Sequence, residues 1–352
     1  MSLLATLLDM HTYCRPAGTE TEREFIAKYV AVLPGAYQDQ YRNWHVQMGE
    51  SPILWSCHTD TVHNHEGRQT LHYDAVNQML SLSRKSKHNG RNCLGADDTA
   101  GVFICCQMVL AGIPGHYVFH FAEECGGMGS KDLAHHEAEW LALHDYAIAF
   151  DRRGIKDIVT HQWCIRTASE VFAYSLGDAL GLAGIPDYTP HSGIYTDTAE
   201  YEGLIAECSN LSVGYRHEHS PSETLDVAHL LKLLAALLRL DQSSLVHDRE
   251  PGAVDYEWSE YLHSEPTSYM ETIGNTDYGS TESTNPDVPI QHFCLMCDER
   301  VNPLVEHECS AQLPDAAYLD RVYGDVQRAL AKSNNNTAID LATWKLRHRR
   351  VS

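Results

Sequence analysis

The sequence is short of positive charge. It contains 26 Lys and Arg residues against 48 Asp and Glu residues, which gives a formal net charge of −22. Binding to a phosphate backbone requires clustered positive charge. We therefore expect no nucleic-acid partner.

Long apolar runs are also absent. No stretch approaches the roughly 18 apolar residues of a membrane span, and residues 1–11 lack the basic start and cleavage site of a signal peptide. We expect no membrane partner and a cytoplasmic location. The eleven cysteines are an odd number, and some lie inside apolar runs, as Cys105-Cys106 does. This usage favours reduced, packed thiols over a disulfide framework.

The composition and patterning are those of a globular chain. The 352 residues are 43% hydrophobic and 21% charged, enough to bury a large core. Hydrophobic periodicity predicts alternating helices and strands. The predicted helices are residues 3–12, 20–33, 102–110 and 225–241, and the predicted strands are residues 44–48, 53–57, 71–75, 79–82, 117–121 and 146–150.

The strand at 117–121 leads into Glu123-Glu124 in a glycine-rich turn. Adjacent carboxylates repel each other unless a cation lies between them. One could then bind a metal while the other serves as a general base for a water molecule. An exposed glutamate pair is common, so this pair needs support from the rest of the chain.

Other predicted strand ends and helix starts also carry metal-competent residues. His58 and Asp60 follow one strand, Asp151 follows another, and Asp97-Asp98 precedes an apolar helix. His58 could bind a metal while Asp60 orients it or the attacking water. Each has an ordinary alternative, a polar loop or a helix cap. Because ligands gather beyond the carboxyl ends of strands in open α/β sheets, the recurrence favours a metal site.

Five segments together resemble, in order, the motifs of the co-catalytic di-zinc exopeptidase superfamily. This superfamily contains peptidase T, the bacterial zinc aminopeptidases and the glutamate carboxypeptidases. The resemblance covers about residues 1–242, with Glu223 at a position where an aspartate is usual. The segments are His58-Thr59-Asp60, residues 95–101, Glu123-Glu124, Asp151 and residues 219–224.

The resemblance implies two Zn²⁺ ions and a role for each motif residue. Asp97 would bridge the ions, while Asp98 would only cap the helix. One site would be completed by His58 and Asp151, and the other by Glu124 and His219. Glu123 would be the general base, with Asp60 behind the metal ligands.

The resemblance also implies an α/β fold, with a mixed, mostly parallel sheet between helices. Some branches of the superfamily insert a lid domain between ligands. Here His58 and Asp97 are 39 positions apart, and Asp151 and His219 are 68 apart, which leaves no room for one. This spacing favours the single-domain aminopeptidases.

The expected function is hydrolysis of a terminal peptide bond or related amide. One alternative is an amidohydrolase that deacylates small N-acyl amino-acid derivatives, and another is a non-catalytic binding protein on the same scaffold. The candidate substrate-binding residues are Arg152, Arg153, Arg216 and Asp197. The oligomeric state is left open.

Beyond the catalytic domain, predicted at residues 1–245, the sequence changes character. Residues 246–290 are acidic and interleaved with small polar residues, as in a linker or a surface-wrapping segment. Residues 291–352 form a predicted appendage with a helix at 314–333. Its C-x2-C-x9-H-x-C pattern is a candidate for a further, structural Zn²⁺, although buried cysteines are the ordinary alternative. The pattern comprises Cys294, Cys297, His307 and Cys309.

Overall fold

A computed structural model describes residues 2–253 and two short paired strands, His292–Phe293 and Arg300–Val301. Residues 2–253 belong to one compact unit. The candidate cysteine site and the predicted helix at 314–333 lie outside the described residues. The boundary predicted at residue 245 falls inside the compact unit, because Arg249 is still buried there and pairs with Glu202 at 2.6 Å.

The helices are α1 Leu3–Met10, α2 Glu20–Tyr29, α3 Arg84–His88, α4 Ala96–Ala111, α5 Met128–His136, α6 Ala138–Leu141, α7 Glu170–Leu182 and α8 Val227–Leu237. One-turn helical segments are Glu123–Cys125, Asp197–Tyr201 and Gln242–Ser244. The strands are β1 Tyr13–Cys14, β2 Tyr37–Gln38, β3 Trp44–Met48, β4 Ile53–His58, β5 Gly67–Arg68, β6 Leu71–Asp74, β7 Met79–Leu82, β8 Gly115–His120, β9 Tyr146–Arg152, β10 Asp157–Gln162, β11 Ile165–Arg166, β12 Thr189–Gly193, β13 Glu207–Ser212, β14 Tyr215–Arg216 and β15 Thr224–Asp226.

Within the described residues, nine strands form the main sheet, in the order β11-β10-β13-β9-β4-β8-β3-β2 with β12 beside β10. The central strands β13, β9, β4 and β8 are parallel to one another. Antiparallel β3 and β2 close one side. This arrangement confirms the predicted α/β class, and it brings the carboxyl ends of β4, β8 and β9 to the same edge.

Alternate residues of the central strands point into two different cores. Trp55 and Ile148 belong to the larger core, whereas Leu54 and Ala147 join the smaller one on the other face. Almost all of α4 is buried against β4 and β9, which explains why its sequence is apolar all round. The sheet is therefore covered on both faces.

A second sheet has the order β14-β15-β7-β6. It joins β6 and β7, which follow His58 in the chain, to β14 and β15, which lie on either side of His219. The predicted start of the last core helix at residue 225 is wrong. Thr224–Asp226 instead pairs with β7, and α8 begins only after Asp226, whose carboxylate caps it by accepting the His229 amide at 2.8 Å. Helix α2 also ends earlier than predicted, at Tyr29.

Neither interval that could have held a lid contains a separate domain in the described chain. The one after His58 holds β5 to β7 and α3, and the one after Asp151 holds β10 to β14 and α7. The cysteines in the described residues are all free, and most are buried. Among those residues, none of the helices is both long and apolar enough to cross a membrane.

Candidate metal centre

The two adjacent aspartates at the start of α4 make different contacts. Asp97 and Asp98 have non-helical φ/ψ angles, and the peptide bond between them is cis. The Asp98 carboxylate accepts the Gly101 amide at 2.8 Å and the His58 amide at 3.2 Å. Gly101 is required here, because a Cβ would lie 2.5 Å from that carboxylate. Asp98 is thus engaged with the backbone, whereas Asp97 faces two histidines.

Asp97 is shared by two groups of candidate ligands. On one side its Oδ1 lies 3.1 Å from His58 Nε2, which is also 3.7 Å from Asp151 Oδ1. On the other side its Oδ2 lies 3.2 Å from His219 Nε2, which is 3.0 Å from Glu124 Oε1. In each group the ligand atoms lie within 4.8 Å of one another. The structure therefore brings together all five residues predicted as metal ligands.

These donor sets fit zinc. Imidazole nitrogen and carboxylate oxygen are its usual nitrogen and oxygen ligands, and bonds of about 2.0–2.1 Å in a tetrahedron put neighbouring ligand atoms about 3.3 Å apart. The distances from Asp97 to His58 and His219, 3.1 and 3.2 Å, are close to that value. Each group could hold one cation, with Asp97 common to both.

The charges of the site also favour cations. Burial, together with the charge of Asp97, raises the pKa of Glu124 to about 7 and that of Asp151 to about 6. Hydrogen bonds with Asp97 and Glu124 raise the pKa of His219 to about 11. Burial opposes ionisation of Asp97, but hydrogen bonds from His219 and His58 outweigh it and lower its pKa. Burial and mutual repulsion thus disfavour the ionised form of Glu124 and Asp151, and a cation between the carboxylates would relieve that repulsion.

Asp60 contacts three of the candidate site residues, His58, Glu123 and Glu124, on the side away from the ligand atoms that face Asp97. Its carboxylate accepts the amide of Glu123 at 3.1 Å and that of Glu124 at 3.2 Å. It also lies 3.3 Å from Nδ1 of His58, and its carbonyl oxygen lies 3.2 Å from the same nitrogen. A proton on Nδ1 leaves the Nε2 lone pair directed at Asp97 and Asp151, the tautomer that a metal-binding histidine needs.

Glu123 lies beside both ligand groups but belongs to neither of the two that share Asp97. Its carboxylate is within 4.8 Å of ligand atoms of His58 and Glu124. Burial raises its pKa well above the ordinary value; the His58 charge opposes this, while the charges of Asp151, Asp197 and Glu124 add to it. A carboxylate with increased proton affinity is suited to accepting a proton from water.

Three residues that were not predicted hold Asp151. The Tyr215 hydroxyl donates to its Oδ1 at 3.0 Å, and the Thr196 hydroxyl donates to its Oδ2 at 2.7 Å. Asn210 accepts the Asp151 amide at 2.8 Å and donates to its carbonyl at 2.6 Å. Thr196 adjoins the noted Asp197, but nothing local in the sequence indicates that these side chains converge on Asp151.

The candidate substrate-binding residues lie in different environments. Arg152 pairs with Asp157 at 2.9 Å, and Arg153 pairs with Glu218 at 3.0 Å. Arg216 is exposed on β14.

Asp197 is buried, and neither of its carboxylate oxygens has a hydrogen-bond partner among the described residues. Burial raises its pKa to about 8; His58 and the nearby Ser130 hydroxyl oppose the shift. In the structure that hydroxyl donates instead to the Gly127 carbonyl at 3.2 Å.

A cavity of about 550 Å³ is lined in part by the glycine-rich turn that follows Glu123 and Glu124. Gly126, two positions after Glu124 in the chain, and Tyr195 form part of its wall. The Tyr195 hydroxyl donates to Glu200 at 2.8 Å, and Lys131 lies 4.0 Å from the same carboxylate. The cavity is lined by Gly126, Lys131, Gln162, Trp163, Ile165, Thr167, Tyr195, Ala199, Glu200 and Glu202.

The fold is shared with solved peptidases. An aminopeptidase PepT from Bacillus cereus matches with a TM-score of 0.53 at 13% identity, over 69% of this chain and 98% of that one. A tripeptidase from Staphylococcus aureus matches with a TM-score of 0.52 at 15% identity, over 69% and 97% of the two chains. The predicted resemblance to the zinc exopeptidases is confirmed at the level of the fold. No protein-family model and no curated protein sequence matches the chain.

Proposed function

We propose that the chain is a zinc-dependent aminopeptidase, a hydrolase that releases the first residue of a peptide. The observation that carries this proposal is the carboxylate of Asp97 between two donor groups, with Glu123 beside both. Solved structures with this fold include an aminopeptidase and a tripeptidase, which supports a peptide as the substrate.

His58, Asp97 and Asp151 would hold one zinc ion, and Asp97, Glu124 and His219 would hold the other. Bound zinc supplies Lewis acidity, which lowers the pKa of water to about 7 and polarises a carbonyl oxygen. Glu123 accepts the proton of the attacking water and returns it to the leaving amine. Asp60 keeps Glu123 in place through the Glu123 amide at 3.1 Å.

The charge around the site favours a free amine over a carboxylate as the recognised end of the substrate. Arg152 and Arg153, which could have held a carboxylate, are already paired with acids. The described residues also include Asp197, a buried carboxylate without a hydrogen-bond partner among them, whose charge acts on Glu123. An ammonium group is stabilised by such surroundings, whereas a second carboxylate is repelled. We assign the cavity to the first side chain of the peptide.

The test compares three substrate sets on the zinc-loaded full chain: peptides with a free amine, the same peptides N-acetylated, and N-acyl amino acids. We expect release of the first residue from the free-amine peptides alone. Cleavage of N-acyl amino acids instead would identify a deacylase. Zinc binding without turnover of any set would support the binding-protein alternative.

A further inference from the structure

Glu223 is a buried carboxylate that encloses the loop bearing Asp97. One of its oxygens accepts the amides of Leu94 at 2.8 Å and Gly95 at 2.9 Å. The other accepts the amides of Ala96 at 2.7 Å and Asp97 at 3.2 Å. The residue is only 1% exposed. Four consecutive backbone donors therefore converge on a single side chain.

These four hydrogen bonds hold the backbone of the loop at the start of α4 in one conformation. The chain enters α4 through non-helical φ/ψ angles at Asp97 and Asp98, so the amides before them lack the regular partners of a helix or strand. Buried amides without an acceptor are costly. A carboxylate can accept from all four at once, because its two oxygens offer about four lone-pair sites and only accept.

Glu223 also links the two halves of the metal centre. It lies on the loop between β14 and β15, the same loop that carries His219. His219 and Asp97 meet at 3.2 Å on one side of the centre. The hydrogen bonds of Glu223 thus join the His219 loop to the Asp97 loop through the backbone, independently of any metal.

We propose that Glu223 is the positioning residue for the shared ligand Asp97, and that it sets the affinity of both metal sites although it binds neither metal. The inference rests on the proposed function, because it assumes that Asp97 serves two cations. A residue that only held the His219 loop would affect one site. A residue that holds the Asp97 loop affects both.

Another glutamate provides a matched control. Glu207 is fully buried and also accepts several backbone amides: that of Ser169 at 2.5 Å, Asp248 at 2.8 Å and Arg249 at 3.1 Å. It lies at the start of β13, whereas the metal centre gathers at the opposite ends of the parallel strands. Glu207→Gln should destabilise the fold in a similar way without changing zinc binding.

The experiment measures zinc affinity on the full chain by competition with a chromophoric chelator, and thermal unfolding with and without zinc. In Glu223→Gln an amide NH₂ replaces one acceptor oxygen and faces backbone N–H groups. We expect the affinities of both active-site equivalents to fall 10- to 100-fold, the usual range for a residue that orients metal ligands. Glu207→Gln should keep wild-type affinities and the wild-type rise in Tm on adding zinc.

Wild-type zinc affinity in Glu223→Gln, or a loss confined to one equivalent, would overturn the inference. Glu223→Asp keeps the charge but is one methylene shorter, and we expect affinities between those of wild type and Glu223→Gln. If the glutamine variant does not fold, Glu223→Asp decides alone: weakened binding of both equivalents supports the inference, and unchanged binding refutes it. If the wild-type chain bound no zinc at the centre, the proposed function itself would fail, which is a distinct result.

Discussion

Replacing the adjacent aspartates one at a time by asparagine should separate metal binding from stability. Asp97 offers its two oxygens to His58 and His219 at 3.1 and 3.2 Å. Asp98 turns its oxygens to the amides of Gly101 and His58. We expect Asp97→Asn to lose both active-site zinc equivalents and all activity, and Asp98→Asn to retain both equivalents.

The cost of Asp98→Asn can be worked out from its contacts. The side chain is fully buried, and both oxygens accept backbone amides. Asparagine keeps one acceptor and points an NH₂ at the other amide, which leaves buried donors unsatisfied at about 1–3 kcal/mol each. We therefore expect the free energy of unfolding to fall by about 2–4 kcal/mol. This exceeds the loss of about 1 kcal/mol expected from a helix cap alone, because Asp98 also accepts the His58 amide. The sequence does not reveal that second bond.

Zinc content, zinc affinity and unfolding in chelator are measured for both variants against wild type. For a domain of this size, about 2–4 °C in Tm corresponds to each kcal/mol, so Asp98→Asn should lower the Tm of the zinc-free chain by roughly 10 °C. It should still respond to zinc, whereas Asp97→Asn should show no rise in Tm on zinc addition. Loss of zinc from Asp98→Asn with retention in Asp97→Asn would refute the assignment of the two residues.

Three further predictions concern the base, the buried histidines and the C-terminal cysteines. Glu123→Gln should abolish turnover of a free-amine peptide yet keep both zinc equivalents, while Glu124→Ala should lose about one; loss of both metals from Glu123→Gln would mean that the two roles are exchanged. Burial lowers the pKa of His63 and His116 to about 3 and that of His11 to about 4. Because these pKa values lie below the unfolded value of about 6.5, the unfolded chain binds more protons as the pH falls. Each histidine should then cost up to about 2 kcal/mol of stability between pH 7 and pH 5. Denaturant titrations in chelator should show this decline, and His116→Gln should reduce its slope. Cys297→Ser should remove one further zinc equivalent without changing the chemistry of turnover; unchanged metal content would exclude a zinc site at Cys294, Cys297, His307 and Cys309.

The sequence by itself indicated the parts of the fold and site that depend on local pattern. Strands such as Trp44–Met48 and Met79–Leu82 match their predicted bounds, because hydrophobic periodicity reflects burial of the nearby chain. The polar residues placed just beyond the apolar strands, including His58 and Asp151, converge because parallel strands end at the same edge of a sheet. The resemblance to the di-zinc exopeptidases supplied the assignment of each residue to one of the two metal sites.

Only the tertiary structure decided which partners hold these residues. Thr224–Asp226 is a strand rather than the start of a helix because β7, far earlier in the chain, pairs with it. Glu223 reaches the Asp97 loop, and Tyr215 and Thr196 reach Asp151, across more than forty positions in each case. Such contacts leave no periodic signal, since a hydrogen bond between distant residues depends on how the sheets and loops pack. The sequence can therefore indicate metal-competent side chains, but the aim of each side chain is set by residues remote from it.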